Sequence, residues 1–600
     1  MVIRYVDAAM PDDTGNGLTP ATAKRTPRAA QQAASAGDKI LLKTGYCYAP
    51  VNGAFMFFSG VSNVEIGTYG TASDKPILDA LTYQNPGVPG WTYVSGGIWK
   101  KTFAAFYIRR LWVGSTSLGN LISDRVVGTA KRRATATGLT TPSANPSESA
   151  ILAALNTNNI WFGGGSATSY ALYVYTGTAS IDPPTYYGGL AFIQSDGLTV
   201  GAITGIHVQN QTAIYAHDLH FRGNSATAIR LQAQNSDSRD VADCLFEDCL
   251  VTAPYQGAFK SGIVGEATPT RRCKSTTVRR VYCDYWSSAD EMELNTSYDY
   301  LSGIADLFNV ADGSMAITID GCTAINSAHM GIVTGSIAMA TMPPRGCLVT
   351  NNLVRYDPWH TYARGLGCFD ADTIFRGNLI DGQNTRSQFS GSAKVIGNVW
   401  INLRNCVRKA NVAQWIAVES YMYDSFTAGI GNDRYVRINP ANVVIANNTA
   451  YGPVNDALRF SYYLTPRGAA DNSFDAGSVT VENNIVYSPK NKFLTTYEDA
   501  GKTMGQQTFI NNCVYNAATG DSKINWRGAN YTINNAPGCS SNIEADPQLD
   551  ALHRPQSAMV KRGGVYVGGK DFYGKQFYYP PNIGAVDDLS ATGRWLLTLP

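Results

Sequence analysis

Charged side chains and long apolar runs are both scarce in this sequence. Asp, Glu, Lys and Arg make up only 16% of the 600 residues, and the formal net charge is +2. A balance this close to neutral gives no general attraction to nucleic acid or to a membrane surface. No run approaches the roughly 18 apolar residues of a membrane-spanning helix, and the first residues lack the apolar core of a signal peptide. We therefore expect a protein that is made in the cytoplasm and is not inserted in a membrane.

Motifs for the common cofactors and metals are also missing. The sequence has no P-loop, dinucleotide fingerprint, HExxH or GxSxG motif. Its 11 cysteines include no CxxC pair and no Cys/His spacing of a zinc site, and no clear acidic constellation indicates calcium. Most of the cysteines lie in apolar, strand-like runs, where a thiol packs as a small apolar side chain. We predict reduced structural thiols, with no metal and no cofactor.

A short phrase recurs through the second half of the chain: an apolar β-rich run, then Asn-Asn or Gly-Asn, then another β-rich run. Its corners are residues 351–352, 377–378, 397–398, 447–448, 483–484 and 511–512. Asn and Gly tolerate left-handed backbone angles, so each pair predicts a sharp bend between strands. Such a unit cannot bury its apolar side alone and has to stack on its neighbours, which predicts a solenoid. Stacked corners would align the Asn side chains in a hydrogen-bonded ladder.

Both ends of the chain resemble a known superfamily. The similar segments are residues 5–7, 15–23, 36–45, 546–549, 571–574 and 582–585, which resemble the first and last coils of right-handed parallel β-helix proteins. This pectate-lyase-like superfamily includes polysaccharide lyases, glycoside hydrolases and phage tailspikes, and the chain is most similar to tailspike polysaccharide depolymerases. The resemblance implies an all-β fold: a single-stranded right-handed parallel β-helix (a solenoid) with a short N-terminal capping helix and irregular insertions.

We expect four segments along the chain. They are residues 1–90, the N-terminal cap and first coils; 91–197, an insertion packed on the early coils; 198–560, the main parallel β-helix; and 561–600, the C-terminal cap. In the first segment, Thr26 is the predicted N-cap of a helix whose first residue is Pro27. This helix is expected to end at Gly37 and to cover the open end of the strand stack.

Catalytic residues of a β-helix are expected on long turns between its regular strands. Residues 285–314 form one such turn, which is rich in carboxylates, and glycosidic-bond cleavage needs one protonated and one ionised carboxyl group. Phasing the next coils by a shared Gly-apolar step places side chains of neighbouring coils on one face, with Asp372 further along the strand that holds Asp370. The predicted catalytic residues are Glu293, Asp306, Asp370 and Asp372, with His329 and Arg364 as auxiliaries.

Other interpretations of these residues stay open. The acidic stretch is also typical of a solvated loop, and His329 and His360 are typical of histidines that only satisfy turn hydrogen bonds. Arg364 neutralising a uronate, with His329 abstracting the α-proton, would instead make the enzyme a lyase.

Aromatic residues near the long turns predict a sugar-binding surface, because an aromatic ring presents an apolar face beside polar atoms. A second long turn, residues 405–440, contributes several of them, although tyrosine and arginine are equally typical of a contact between subunits. The predicted substrate-binding residues are Trp286, Tyr300, Trp359, His360, Trp415 and Tyr421.

We predict an endo-acting glycoside hydrolase of the phage tailspike type, which recognises and cleaves a bacterial surface polysaccharide, O-antigen or capsule. The alternatives are a lyase acting on a uronate-containing glycan, a secreted pectate- or alginate-type lyase or epimerase, and a non-catalytic receptor-binding tail fibre. The resemblance implies a homotrimer that joins other tail components of a virion. It would be made in the host cytoplasm, would act outside the cell, and would bind no nucleic acid.

Overall fold

The computed structural model confirms an all-β parallel β-helix, because about 49% of the chain is strand, only 6% is helix, and the long sheets are parallel. The structure describes all residues except 51–52, 104–106, 132, 135–145, 167–168, 196–202, 235–238, 264–269, 286–305, 312, 328–329, 336–344, 359–363, 370–371, 385, 390–391, 404–414, 424–435, 439–441, 463–477, 499–505, 516–522, 562–563, 565–569, 574, 577–580 and 588–600. Within this part of the chain, no helix is long and apolar enough to cross a membrane.

The chain divides into two compact units. Unit 1 comprises residues 1–266, 270–308 and 325–329, and unit 2 comprises residues 267–269, 309–324 and 330–600. Strands Phe308–Val310 and Thr323–Ile325 lie where the chain passes from one unit to the other. The division into four segments stays a prediction.

Unit 1 contains parallel sheets to which each coil contributes one strand. The first sheet consists of Ile3–Val6, Lys39–Lys43, Val64–Tyr69, Ile214–His217, Leu245–Glu247 and Thr277–Arg279. The second consists of Ala54–Phe58, Thr204–Gln209, Thr227–Ala233 and Gly257–Ile263. The third consists of Cys47–Tyr48, Ile77–Asp79, His220–Arg222, Leu250–Thr252 and Tyr282–Asp284. Val241–Ala242 and Cys273–Lys274 form a short parallel pair.

A helix packs at the start of unit 1, as the sequence predicts. It spans Pro27–Ala33, and the Thr26 hydroxyl accepts a hydrogen bond from the backbone N–H of Ala29. The helix ends at Ala33, before the predicted stop at Gly37, because the chain turns extended at Ala34. Gly37 still adopts a left-handed angle of 87°, so its glycine serves the following turn rather than the helix.

An antiparallel insertion interrupts the coils of unit 1 between Ile77–Asp79 and Thr204–Gln209. One sheet consists of Leu81–Gln84, Tyr107–Val113, Thr129–Lys131 and Leu190–Ser195. Another consists of Thr92–Ser95, Ile98–Phe103, Trp161–Ser166 and Ser169–Tyr175. The insertion also contains the strands Thr116–Ser117 and Arg125–Val126 and the short helices Ile122–Asp124, Glu148–Ala154 and Pro183–Tyr186. Another short helix of unit 1, Pro20–Thr22, precedes the N-terminal helix.

Unit 2 repeats the coiled pattern of parallel strands. One parallel sheet consists of Thr318–Asp320, Leu348–Thr350, Thr373–Arg376, Ala393–Ile396, Val443–Ala446, Val479–Glu482, Gln507–Ile510 and Cys539–Ser540. The other strands are Ser314–Met315, Met330–Thr334, Leu353–Arg355, Arg364–Cys368, Leu379–Asp381, Ser387–Phe389, Val399–Ile401, Ile416–Tyr423, Val436–Ile438, Thr449–Tyr462, Ile485–Glu498, Cys513–Tyr515, Ile524–Trp526 and Ala529–Tyr531.

The asparagine ladder predicted from the sequence is present in unit 2. The first corner residue turns the chain with a left-handed angle, for example 56° at Asn351, and the second points inward. Each inward Nδ2 donates to the Oδ1 of the next, at 2.9 Å from Asn352 to Asn378 and 2.8 Å from Asn378 to Asn398. The ladder continues through Asn448, Asn484, Asn512 and Asn542. Its members are buried, so the amides hold successive coils together from the inside.

Alternating apolar side chains fill the interior, and thiols are among them. The cysteines that the structure describes are all buried, and no disulfide joins any of these residues. Burial raises the pKa of the Cys249 thiol to about 12. A thiol in this state is not a nucleophile at neutral pH, so these cysteines act as packing residues, as the sequence indicates.

Candidate functional site

A row of four side chains lies on the outward face of the second sheet of unit 1. Its members are Phe57, His207, Arg230 and Lys260, which we call the outward row. They are neighbours in register, since Phe57 pairs with His207, His207 with Arg230, and Arg230 with Lys260. Each sits between buried residues of its own strand, because successive side chains of a strand point to opposite faces. The row therefore crosses successive coils at a spacing of about 4.8 Å.

The aromatic end of the row is packed. The guanidinium of Arg28, from the N-terminal helix, lies 5.6 Å from the centre of the Phe57 ring. The centre of the His207 ring lies 4.8 Å from that of the Phe57 ring, with the two rings tilted by 37°. His207 Nε2 is 2.9 Å from Gln232 Oε1. This end is therefore a fixed aromatic surface rather than a set of independent side chains.

The basic end of the row forms no direct ion pair with a described residue, although the carboxylate of Asp306 acts on Lys260 electrostatically. Neither Arg230 nor Lys260 makes a hydrogen bond or an ion pair through its side chain with any residue that the structure describes. Lys260 is exposed and Arg230 is partly exposed, so both face solvent. Like charges side by side on neighbouring strands destabilise a sheet. Folding alone gives no reason for this pair.

The row shifts the ionisation of its own members. Removal from water, with Arg230 nearby, lowers the pKa of His207 to about 4, so the imidazole is neutral at neutral pH. Partial removal from water and then the Arg230 guanidinium lower the pKa of Lys260, while the carboxylate of Asp306 opposes the change. The outward row therefore offers an aromatic surface, a neutral imidazole, a permanent cation and an amine that loses its proton more readily than usual.

Amide side chains border the row. Gln209 pairs in register with Gln232, and Gln209 Nε2 donates to Gln234 Oε1 at 2.9 Å. Amides both donate and accept hydrogen bonds, which suits hydroxyl-bearing ligands.

A second charged cluster of unit 1 shows the contrast with a structural one. Asp79 is fully buried, and its carboxylate accepts hydrogen bonds from Arg222 at 2.6 Å, Arg125 at 2.6 Å and the Tyr83 hydroxyl at 3.0 Å. Burial acts to raise the pKa of Asp79, but the guanidinium groups hold it below its ordinary value. Because Arg125 and Tyr83 belong to the insertion, this cluster fastens the insertion to the coils.

Many of the residues predicted for the site fall outside the described part of the chain. They are the predicted catalytic residues Glu293, Asp370 and His329 and the predicted substrate-binding residues Trp286, Tyr300, Trp359 and His360.

The described members of the predicted set are spread over both units. Asp306 is a buried residue of unit 1 and acts electrostatically on Lys260. Arg364 begins strand Arg364–Cys368 of unit 2, with Nη1 3.5 Å from Gln388 Oε1. We expected Asp372 to continue the strand that holds Asp370. It lies instead in the bend before Thr373, with a left-handed φ of 63°.

The predicted sugar-binding aromatics of the second long turn are partly corrected. Trp415 is fully buried and packs against Trp400 at 5.6 Å, because it starts an inward-facing part of its coil. Its ring is therefore core and does not reach a sugar. Tyr421 lies in strand Ile416–Tyr423, where its backbone pairs with Ile438.

The outward row was missed because its residues are far apart in the sequence. A partial signal was present: a basic residue lies between apolar ones in Ile206-His207-Val208 and Ile229-Arg230-Leu231, and Lys260 follows the apolar Phe259 in the next strand. Only the register of the coils shows that these basic residues are neighbours.

Several solved structures match this chain at low sequence identity. The structure of XylC in complex with xylose matches with a TM-score of 0.51 at 12% identity, over 98% of this chain and 98% of that one. A glycoside hydrolase matches over 94% of this chain and 99% of its own at TM-score 0.39 and 10% identity. A rhamnogalacturonan lyase matches over 81% and 87% at TM-score 0.38 and 10% identity. No protein-family profile and no curated protein matches the sequence. The first match shows a shared fold.

Proposed function

We propose that this protein is a polysaccharide depolymerase whose glycan lies across the outward row. One observation carries the proposal: Arg230 and Lys260 are neighbouring cations on the outward face, and neither forms a direct ion pair with a described residue. Such a pair is unfavourable for folding and is explained by a ligand. The row has one side chain on each successive coil, and such a linear site suits a polymer. XylC, which has a similar fold, was solved in complex with xylose.

For the reaction, we propose hydrolysis by paired carboxylates as the first candidate. The residues for it are those predicted from the sequence, of which Asp306 lies near the basic end of the outward row. A protonated carboxyl group would protonate the leaving oxygen, and a carboxylate would activate water or attack the sugar directly. Hydrolysis creates new reducing ends without a double bond.

Elimination is the second candidate, and the outward row itself favours it. Next to a uronate, Arg230 would neutralise the carboxylate, which makes the proton on the adjacent carbon more acidic. Lys260 in its neutral form would take that proton; the electron pair forms a carbon–carbon double bond, and the glycosidic oxygen leaves with a proton from water. The lowered pKa of Lys260 increases the fraction of neutral amine.

One assay separates the candidates. The protein is incubated with purified capsular or O-antigen polysaccharides, and both reducing ends and the ultraviolet absorbance of unsaturated uronate are followed. New reducing ends without absorbance support hydrolysis, and both signals together support elimination. Asp306→Asn is expected to abolish turnover in the first case and Lys260→Met in the second. No new ends on any polysaccharide that the protein binds would contradict the proposal and favour a non-catalytic binding fibre.

We further propose the biological setting that the sequence resemblance implies. The protein would be a homotrimeric tailspike of a phage virion, joined to other tail components, and its target would be the O-antigen or capsule of the bacterial host. Light scattering on the purified protein tests the assembly, since a trimer has three times the 64.6 kDa mass of the chain. A monomer at micromolar concentration would contradict the trimer.

A further inference from the structure

We infer that the outward row is a binding site for an anionic glycan, with one carboxylate or sulfate group at Arg230, another at Lys260, and an uncharged sugar on Phe57. This inference rests on the proposed function and names the substrate class of the same site. It requires binding alone, so it stands or fails independently of the reaction type.

The contrast with other basic residues of unit 1 supports the inference. Several basic side chains elsewhere in this unit pair with a carboxylate: Lys39 with Glu65 at 2.7 Å, Lys75 with Asp218 at 2.8 Å, Lys274 with Asp240 at 2.7 Å and Arg280 with Asp248 at 2.7 Å. Others are held by neutral groups, as Arg25 is by the Pro11 carbonyl and Lys101 by the Gln84 side chain. Arg230 and Lys260, on adjacent coils, make neither kind of contact through their side chains with a described residue.

The chemistry of the two cations suits successive anions of one polymer. A guanidinium presents parallel N–H donors to the two oxygens of a carboxylate or sulfate, whereas an ammonium acts as a point charge. Their strands are about 4.8 Å apart, so one extended chain crossing the coils can reach both. No carboxylate of the described residues forms an ion pair with either cation to compete with the glycan.

The neighbouring groups define the rest of the site. Phe57 packs with both Arg28 and His207, so it presents a fixed apolar surface beside the charges. His207 is neutral at neutral pH and adds hydrogen bonding without adding charge. The amides of Gln209 and Gln234 border the row and suit hydroxyl groups. A glycan with two neighbouring anionic groups beside an uncharged stretch fits this pattern better than a uniformly charged polymer such as nucleic acid.

Binding to defined polymers tests the inference. Retention of the full-length protein is measured by affinity electrophoresis in gels containing polygalacturonate, dextran sulfate or uncharged dextran, each at low and high salt. We expect salt-sensitive retention by at least one anionic polymer and none by dextran. Retention by polygalacturonate alone identifies carboxylate as the preferred group, and retention by dextran sulfate alone identifies sulfate. Equal retention by all three polymers, or by none, would overturn the inference.

Matched variants locate the site. Arg230→Met and Lys260→Met are each expected to weaken binding by about tenfold, the effect of losing one charge-assisted hydrogen bond. Lys394→Met, which removes an exposed strand lysine of unit 2, is expected to bind like the unaltered protein. If Lys394→Met weakens binding as much as Lys260→Met, the binding reflects general charge and the assigned site is wrong.

Thermal unfolding of the same variants distinguishes a binding role from a structural one. Because removing either cation relieves the repulsion between them, Arg230→Met and Lys260→Met should keep or raise the midpoint while binding falls. A lowered midpoint with unchanged binding would show that the pair stabilises the fold instead. If a variant loses binding but still cleaves polysaccharide normally, the outward row is an anion-binding site that takes no part in the proposed catalytic function.

Discussion

At the scale of single residues, the buried Asp79 cluster and the outward row are opposites. Asp79 is surrounded by donors from Arg222, Arg125 and Tyr83, so its charge is compensated inside the protein. Arg230 and Lys260 lie on the outward face and form no direct ion pair with a described residue, and only the Asp306 carboxylate acts on Lys260. The fold explains a buried charge that has partners. Two adjacent exposed cations without direct ion pairs are better explained by a ligand that binds them.

Arg222→Met tests the structural role of the buried cluster. The change leaves the fully buried Asp79 carboxylate with a single guanidinium partner. We expect a loss of about 3 kcal/mol in the free energy of unfolding, measured by urea denaturation. Lys75→Met, which breaks an exposed ion pair with Asp218, should lose less than about 1 kcal/mol. Equal effects of both changes would show that burial of the charge is unimportant.

His207 predicts a specific dependence of stability on pH. Its pKa is about 4 in the folded protein against 6.5 for an ordinary histidine, so the unfolded chain binds the extra proton first as the pH falls. The contribution of His207 is therefore complete above pH 6.5 and is lost between about 6.5 and 4, by at most roughly 3 kcal/mol. In the His207→Gln variant, the midpoint of unfolding should depend less on pH in this window. An unchanged pH profile would show that the imidazole is not held neutral.

The residue scale is also where the sequence is least informative about the site. The carboxylates of the long turn are visible as a cluster because they are close in the sequence. His207, Arg230 and Lys260 are separated by whole coils, and only strand register makes them neighbours. Trp415 shows the opposite case. Its polar surroundings in the sequence predict a surface aromatic residue, but its ring is part of the core.

At the scale of elements, the corner pairs explain why the coils were predictable. Each pair is a local signal: a left-handed corner residue, then an inward amide with β-rich runs on both sides. The equivalent inward positions of unit 1 hold apolar side chains instead, such as Leu219, Cys249 and Val281, each buried. The solenoid therefore has one turn geometry and more than one way of filling its interior. The amide version is the one that the sequence reveals.

Asn398→Leu tests the amide ladder. Asn398 accepts from the N–H and Nδ2 of Asn378 and donates to Asn448 and to the carbonyl of Phe375. Leucine of similar size leaves these buried groups without partners, so we expect a loss of about 3 kcal/mol or more in the free energy of unfolding. Asn530→Leu, on an exposed strand, should change it by less than about 0.5 kcal/mol. Similar small effects at both positions would contradict a stabilising ladder.

The irregular sequence of residues 91–197 predicts an insertion, but it does not predict the pairing of the antiparallel strands found there. Tyr107–Val113 pairs with Leu190–Ser195, and Ile98–Phe103 pairs with Ser169–Tyr175, so each sheet joins segments far apart in the chain. Short-range patterns carry no information on which distant strands pair. The anchors of the insertion, such as Arg125 on Asp79, are also invisible without coordinates.

At the scale of the whole molecule, repetition links the fold to the proposed function. Stacked coils place equivalent outward positions at a constant spacing, so a few substitutions on neighbouring coils create a linear site. A linear site is suited to a polymer rather than to a compact small molecule. The thiols and amides inside the coils maintain the stack, while the outward row provides the recognition.

The most direct test of this account is a crystal structure of the full-length protein with an oligosaccharide of the anionic polymer that it retains most strongly. We predict anionic groups of the sugar within hydrogen-bonding distance of Arg230 and Lys260, and a sugar ring against Phe57. An oligosaccharide bound elsewhere on the protein, with the outward row contacting only water, would contradict the account.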